Sequence, residues 1–163
     1  MISESSQATN IHVRRARASD AEAIECLYRE LVCDGLVRVL PEEIARLTES
    51  SSSFLLVGLS SGDVCATALL TLCPDVMYQR QPFGLVENLI VAEQHRRSGL
   101  GRQLMAHIEG IAREKDCTKL MLLSSSHRHD AHSFFNSMGF EVGKKTGFVK
   151  YGSTLRTTAF DKK

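Results

Sequence analysis

Glu87 sits inside an apolar run, Val86-Glu87-Asn88-Leu89-Ile90-Val91. A carboxylate in such a run needs a reason, because burying it unpaired is costly. Placed near an ammonium ion, directly or through one water, it can accept a proton and free an amine to attack. The bland alternatives are a Glu on a solvent-facing side, or one paired with an arginine. Asn88 is expected on the opposite face, where it could orient a substrate. Five residues after Val91 begins Arg96-Arg97-Ser98-Gly99-Leu100-Gly101-Arg102, which opens an apolar-periodic segment reaching about Lys115. This reads as strand, glycine-containing loop, helix. A helix N-terminus leaves unpaired N–H groups and a partial positive charge, so it can hold a phosphate. Gly99 and Gly101 carry no side chain to keep the backbone away from that anion. Arg96 and Arg97 add formal charge. The chemistry suits a pyrophosphate.

A second cluster is His127, His129, Asp130 and His132. These types suit transition metals. Only His129 and His132 share a helical face, however, and the five cysteines at 26, 33, 65, 73 and 117 lie elsewhere. The simpler reading is that Asp130 caps a helix and the histidines line its start, so no metal is expected. Tyr78, in the loop before the fourth strand, and Tyr151, near the C-terminal strand, could each serve as a proton donor.

The elements that must position these groups follow from periodicity. Ile11 to Arg17 reads as a first strand. Ser19-Asp20-Ala21-Glu22 fits a capping box. Ile24, Leu27, Tyr28, Leu31 and Val32 form one helical face. Pro41-Glu42-Glu43 starts a short second helix, ended by Ser50 to Ser53. Phe54 to Leu59 and Val64 to Leu72 are strands joined by a turn at Ser60-Ser61-Gly62-Asp63. After a loop from Pro74 to Pro82, Phe83 to Val91 is the fourth strand. Leu100, Leu104, Met105, Ile108, Ile111 and Ala112 give the next helix its apolar face. Lys119 to Leu123 is a strand. Ala131, Phe134, Phe135 and Met138 mark a short helix stopped at Gly139. Phe140 to Val142 and Gly147 to Tyr151 are expected as a last strand pair. The order of elements predicts an α+β, mixed α/β sheet covered by helices.

Arg96, Gly99 and Gly101 match the fixed positions of motif A of the GNAT N-acetyltransferases, Gln/Arg-x-x-Gly-x-Gly/Ala. Ala131-His132-Ser133-Phe134-Phe135-Asn136-Ser137-Met138-Gly139-Phe140 resembles their motif B, Ala-x-x-Phe-Tyr-x-x-x-Gly-Phe. The resemblance runs from about Ile11 to Tyr151. It departs at Arg128, where the family often has asparagine. It departs again at Phe135, where the family usually has the tyrosine that protonates the departing thiolate. The resemblance implies a mostly antiparallel mixed sheet whose fourth and fifth strands splay apart, with helices on both faces and acetyl-coenzyme A entering the gap. It implies that Leu89, Ile90 and Val91 line the cofactor strand. The Leu89 N–H would polarise the thioester carbonyl and Val91 would pair with the pantetheine arm. Arg96, Arg97, Ser98, Gly99, Leu100, Gly101 and Arg102 would hold the pyrophosphate, with Arg128 and Phe134 also on the cofactor. Glu87 would be the base, and Asn88 and Tyr78 would meet the substrate.

The implied reaction moves an acetyl group from acetyl-coenzyme A to a primary amine of a small molecule, by direct attack through a tetrahedral intermediate. The alternatives are a coenzyme A-binding module without turnover, suggested by Phe135, and a protein or peptide N-acetyltransferase. Bulk properties agree with a small enzyme. At 163 residues the chain can bury one sizeable core, and a net charge of +1 points to no nucleic-acid partner. No run reaches the ~18–20 apolar residues of a membrane span, so no membrane partner is expected. An odd number of cysteines without a Cys-x-x-Cys pair favours reduced thiols and a cytoplasmic setting. A homodimer is compatible with this reading. The expected organisation is a disordered tail at 1–10, one acetyltransferase domain at 11–151 and a loose tail at 152–163.

Overall fold

Runs buried on both faces, such as Phe54 to Val57 and Cys65 to Ala68, build the centre of a five-stranded sheet that carries the expected cofactor strand. The structure, a computed structural model, describes residues 10–155. The strands are β1 (Ile11–Arg15), β2 (Ser53–Ser60), β3 (Asp63–Cys73), β4 (Phe83–Val91) and β5 (Leu120–Leu122), in the order β1-β2-β3-β4-β5. All neighbours are antiparallel except β4 and β5, which run parallel. The helices are α1 (Ala21–Val32), α2 (Pro41–Thr48), α3 (Leu100–Glu114), α4 (His129–Ser137) and α5 (Gly152–Leu155). Two compact units divide the chain, one ending at Leu122 and one starting at Leu123. The first holds the sheet with α1 to α3; the second holds α4 and α5.

In the first unit the two faces of the sheet are told apart by β2. Leu55 and Val57 pack with Ala21 and Ile24 of α1 and Ile44 of α2. The next residue, Gly58, faces the other way, and a Cβ there would lie 2.8 Å from Leu100 Cδ1 of α3. Glycine lets α3 seat its first residue directly on β2. Leu100, Leu104, Met105 and Ile108 are all fully buried on that side. The sheet therefore has α1 and α2 on one face and α3 on the other.

The β2–β3 turn forms as its sequence predicts, with positive φ at Ser61 and Gly62. The start of α1 differs from expectation. Ser19 is exposed and makes no cap. Instead a single 3-10 turn, Ala18–Asp20, precedes the helix. The buried Asp20 carboxylate accepts the Arg17 N–H at 2.7 Å and two bonds from the Arg14 guanidinium at 2.7 and 3.0 Å. A charge-assisted fork outweighs a neutral hydroxyl cap. In the second unit, residues 140–151 form no strand, so the expected last strand pair is absent among the described residues. The expected C-terminal tail begins with the short helix α5, and its remainder, like residues 1–9 of the expected N-terminal tail, lies outside the described residues.

Candidate active site

The site is organised by β4. Strand β5 pairs only with Gly84, Leu85 and Val86. From Glu87 to Val91 the outer edge of β4 has no strand partner among the described residues. On the inner edge, Leu69 of β3 pairs with Glu87 and Thr67 pairs with Ile90. Two residues of β4, Asn88 and Leu89, thus stand opposite the single residue Ala68, which is a β-bulge. Asn88 takes φ 54°, a left-handed conformation that asparagine tolerates better than most. Neither Asn88 nor Leu89 has a register partner on β3, so the bulge interrupts the ladder beside the open edge.

The bulge changes which way the side chains aim. Cross-strand pairs share a face, so Glu87 lies with Leu69 on the α1 side, where Leu69 joins the α1–α2 core. Glu87 is half-buried, and its carboxylate has no hydrogen bond or ion pair among the described residues. Asn88 was expected on the opposite face. Instead its side chain interacts with the Tyr28 hydroxyl of α1, which also meets Thr67. The extra residue at the bulge breaks the alternation on which the expectation rested. Burial pushes the Tyr28 phenol above its ordinary pKa, against the smaller opposing effects of Thr67 and Asn88. Tyr28 is therefore a neutral hydroxyl at physiological pH. Its place in an apolar helical stripe hid it in the sequence; the only signal was a phenol that must find partners when buried.

Beyond Val91 a 3-10 turn, Glu93–His95, leads into the glycine loop. Arg97 takes φ 62° and Gly99 φ 91°, and a Cβ at Gly99 would meet nothing within 4 Å. The loop surface there is open to an incoming group. The first α3 bond runs from Gln103 N–H to the Gly99 carbonyl at 3.0 Å. The preceding amides stand at the helix N-terminus, that of Leu100 meeting only Ser98 Oγ at 3.4 Å. Ser98 Oγ donates to the His95 carbonyl at 2.6 Å and so tightens the turn.

The two arginines behave differently. Arg97 is exposed and has no partner among the described residues. Arg96 is engaged: its Nη2 donates to Glu30 Oε1 at 2.9 Å and its Nε to the Val91 carbonyl at 3.2 Å. Arg102 lies exposed in the first turn of α3, and Leu100 is buried beneath the loop. Ile90 is buried against Leu27 of α1, so its side chain belongs to the core. Glu87, Asn88, Leu89, Val91 and residues 96–102 thus form one continuous ribbon. Tyr78 stands elsewhere. It is 56% exposed in the β3–β4 loop and lines an open groove with Arg80, Lys115 and Asp116, at the far end of α3 from its N-terminus.

The remaining expected residues belong to the second unit. Arg128 precedes α4, donating its N–H to the Ser125 carbonyl at 3.0 Å and accepting that of His132 at 3.0 Å. Phe134 is half-buried and meets the Phe135 ring at 5.4 Å. Phe135 is buried, and its ring also meets Phe140 at 5.9 Å. Asp130 does not cap α4; it falls within the first turn, where its charge suits the helix dipole. His132 Nε2 lies 3.0 Å from the Ser125 carbonyl, and the His129 and His132 rings meet edge-on. Among the described residues no three metal-ligating side chains converge, and no helix is long and apolar enough to cross a membrane.

Residues 22–140 match the Acetyltransferase (GNAT) family. A putative acetyltransferase from Agrobacterium tumefaciens str. C58 superposes with a TM-score of 0.77 at 28% identity, covering 86% of this chain and 99% of its own. Glucosamine-6-phosphate N-acetyltransferase from Arabidopsis thaliana gives a TM-score of 0.73 at 22% identity, covering 88% of this chain and 99% of its own. AAC(6')-Iy, solved with a coenzyme A bisubstrate analogue, gives 0.73 at 15% identity over 87% of this chain and 98% of its own. These last two likenesses concern the fold. With the open β4 edge, the bulge and the glycine loop in place, the chain belongs to the GNAT acetyltransferase family and is an acetyl-coenzyme A-dependent acetyltransferase.

Proposed function

We propose that this enzyme acetylates the primary amine of a small molecule on the α1 side of the β4 bulge. The observation that carries the reading is a half-buried, unpartnered Glu87 beside a bulged, open-edged strand that runs straight into the glycine loop. The residues present fit acetyl-coenzyme A. The open loop surface at Gly99, the amides at the α3 N-terminus and the exposed Arg97 suit a pyrophosphate. The unpaired edge at Leu89 and Val91 suits an extended amide-bearing arm, which can pair with it as a strand would. A Leu89 N–H aimed at the thioester oxygen would stabilise the charge that develops there. Acetyl-coenzyme A supplies an activated acyl group with a thiolate leaving group.

Glu87 takes the proton from the amine. The freed nitrogen bonds to the acetyl carbon to give a tetrahedral adduct, which collapses as the carbon–sulfur bond breaks; the sulfur leaves as thiolate and the second nitrogen proton passes to water. Phe135 has no proton to give, so the thiolate leaves either unprotonated or protonated by water. Its ordinary pKa, near ~8.5 by comparison with cysteine, makes that feasible. Tyr28 and Asn88 supply neutral hydrogen-bonding groups on the same face as Glu87, which suits a polar amine. The test is thiol release from acetyl-coenzyme A with amino sugars, aminoalkylphosphonates and N-terminal peptides as acceptors. Turnover with a small amine supports the reading. Turnover with peptides alone makes the enzyme a protein acetyltransferase. Saturable coenzyme A binding without turnover on any amine would leave a binding module.

A further inference from the structure

The glycine loop is held from outside by a residue that no motif marks. Glu30 lies in the last turn of α1, where a negative charge opposes the helix dipole. Its Oε1 accepts from Arg96 Nη2 at 2.9 Å and from the Glu93 backbone N–H at 3.2 Å. Arg96 meanwhile donates Nε to the Val91 carbonyl at 3.2 Å. One carboxylate and one guanidinium therefore join three elements: the end of β4, the 3-10 turn after it, and the end of α1. Between this knot and α3, Arg97 is held at φ 62°, a conformation that costs energy in a non-glycine residue and persists only when its surroundings fix it.

We propose that Glu30 is a positioning residue for the pyrophosphate loop, and that Arg96 acts as its brace rather than as a phosphate ligand. The proposal rests on the acetyl-coenzyme A reading. Its consequence has a definite sign. If Glu30 were only a nearby negative charge, removing it would tighten the binding of a polyanion. If Glu30 holds the loop, neutralising it loosens the loop and weakens binding, despite the more favourable charge. Arg97 is then the arginine left to meet the phosphate.

The experiment is a double-mutant cycle on the full chain, with Glu30→Gln, Arg96→Ala and both together. Calorimetry with coenzyme A reads affinity, and thiol release at saturating acetyl-coenzyme A reads turnover. Glu30→Gln is expected to raise Kd by about 5-fold, the scale of one exposed charged pair plus its amide contact. The kcat at saturation should stay unchanged, as should the melting temperature without coenzyme A. Adding Arg96→Ala to Glu30→Gln should weaken binding no further. Tighter or unchanged binding in Glu30→Gln would overturn the proposal. So would an Arg96→Ala penalty of the same size in both backgrounds, which would make Arg96 a direct phosphate contact. A wild-type chain that binds no coenzyme A would instead overturn the underlying functional reading.

Discussion

Glu87 was legible as an anomaly in an apolar strand, and the structure explains why it is tolerated: it is half-buried on the α1 side and unpartnered among the described residues. Glu87→Gln keeps the shape and removes the base. Turnover at neutral pH should fall by ~10²-fold or more, with coenzyme A affinity intact by calorimetry. A loss of only a few-fold at saturating substrates would pass the proton to bulk water. Asp20 makes a contrasting case, since its carboxylate is satisfied and structural. The hydrogen bonds from Arg14 hold it below the usual carboxylate range, helped by the Arg17 amide, while burial opposes them. A carboxyl depressed by folding contributes stability above its unfolded value of about 4, and that contribution is lost as pH falls through the lower folded value. Asp20→Asn should cost about 2–3 kcal/mol at pH 7 in urea unfolding. The gap between variant and parent should narrow at pH 3. Tyr28, Asn88's true facing and Glu30 were not legible, because each depends on contacts between residues far apart in the chain.

At the scale of elements, helices were read well and irregularities were not. The apolar stripe of α3 is legible in the sequence: Leu100, Leu104, Met105, Ile108 and Ala112 are buried, and only Ile111 of the expected set is half-buried. The glycine loop was equally legible, since positive φ at Gly99 and a following amphipathic helix leave few alternatives. The bulge in β4 was invisible, because one inserted residue leaves no mark in an apolar run. The role of Gly58 was invisible too, although it decides where α3 begins. A side chain at 58 would push against the fully buried Leu100, which roots the loop. Gly58→Val should destabilise by about 1–3 kcal/mol, the usual cost of overpacking. It should also weaken coenzyme A binding in calorimetry, because the first turn of α3 must shift. A variant with full affinity and reduced stability would show that the loop does not depend on that seat.

Across the whole molecule, burial is unevenly shared. Among the described residues, every buried hydrophobic side chain except Phe135 lies at or before Ala112. The sheet and its helices form a core that periodicity predicted. The second unit has one buried apolar side chain among its described residues, flanked by Phe134 and Phe140. Its strand pair was misjudged because Phe140 to Val142 and Gly147 to Tyr151 are short apolar runs, a length at which periodicity cannot separate strand from loop. Val142, Phe148 and Tyr151 are 70%, 91% and 72% exposed. Local stability tracks buried apolar contact, so amides of 123–155 should exchange faster than those of β2, β3 and α3. Phe135→Ala should sharpen the contrast. Truncating a buried ring costs about 3–5 kcal/mol, and no second buried apolar side chain among the described residues of its unit can absorb the loss. Hydrogen exchange should show protection vanish at Met138 and Phe140, whose N–H groups bond to the Phe135 carbonyl at 3.0 and 3.1 Å. Phe135→Tyr keeps the ring and should keep that protection. If the alanine variant retains it as well, the second unit is held by something other than this ring.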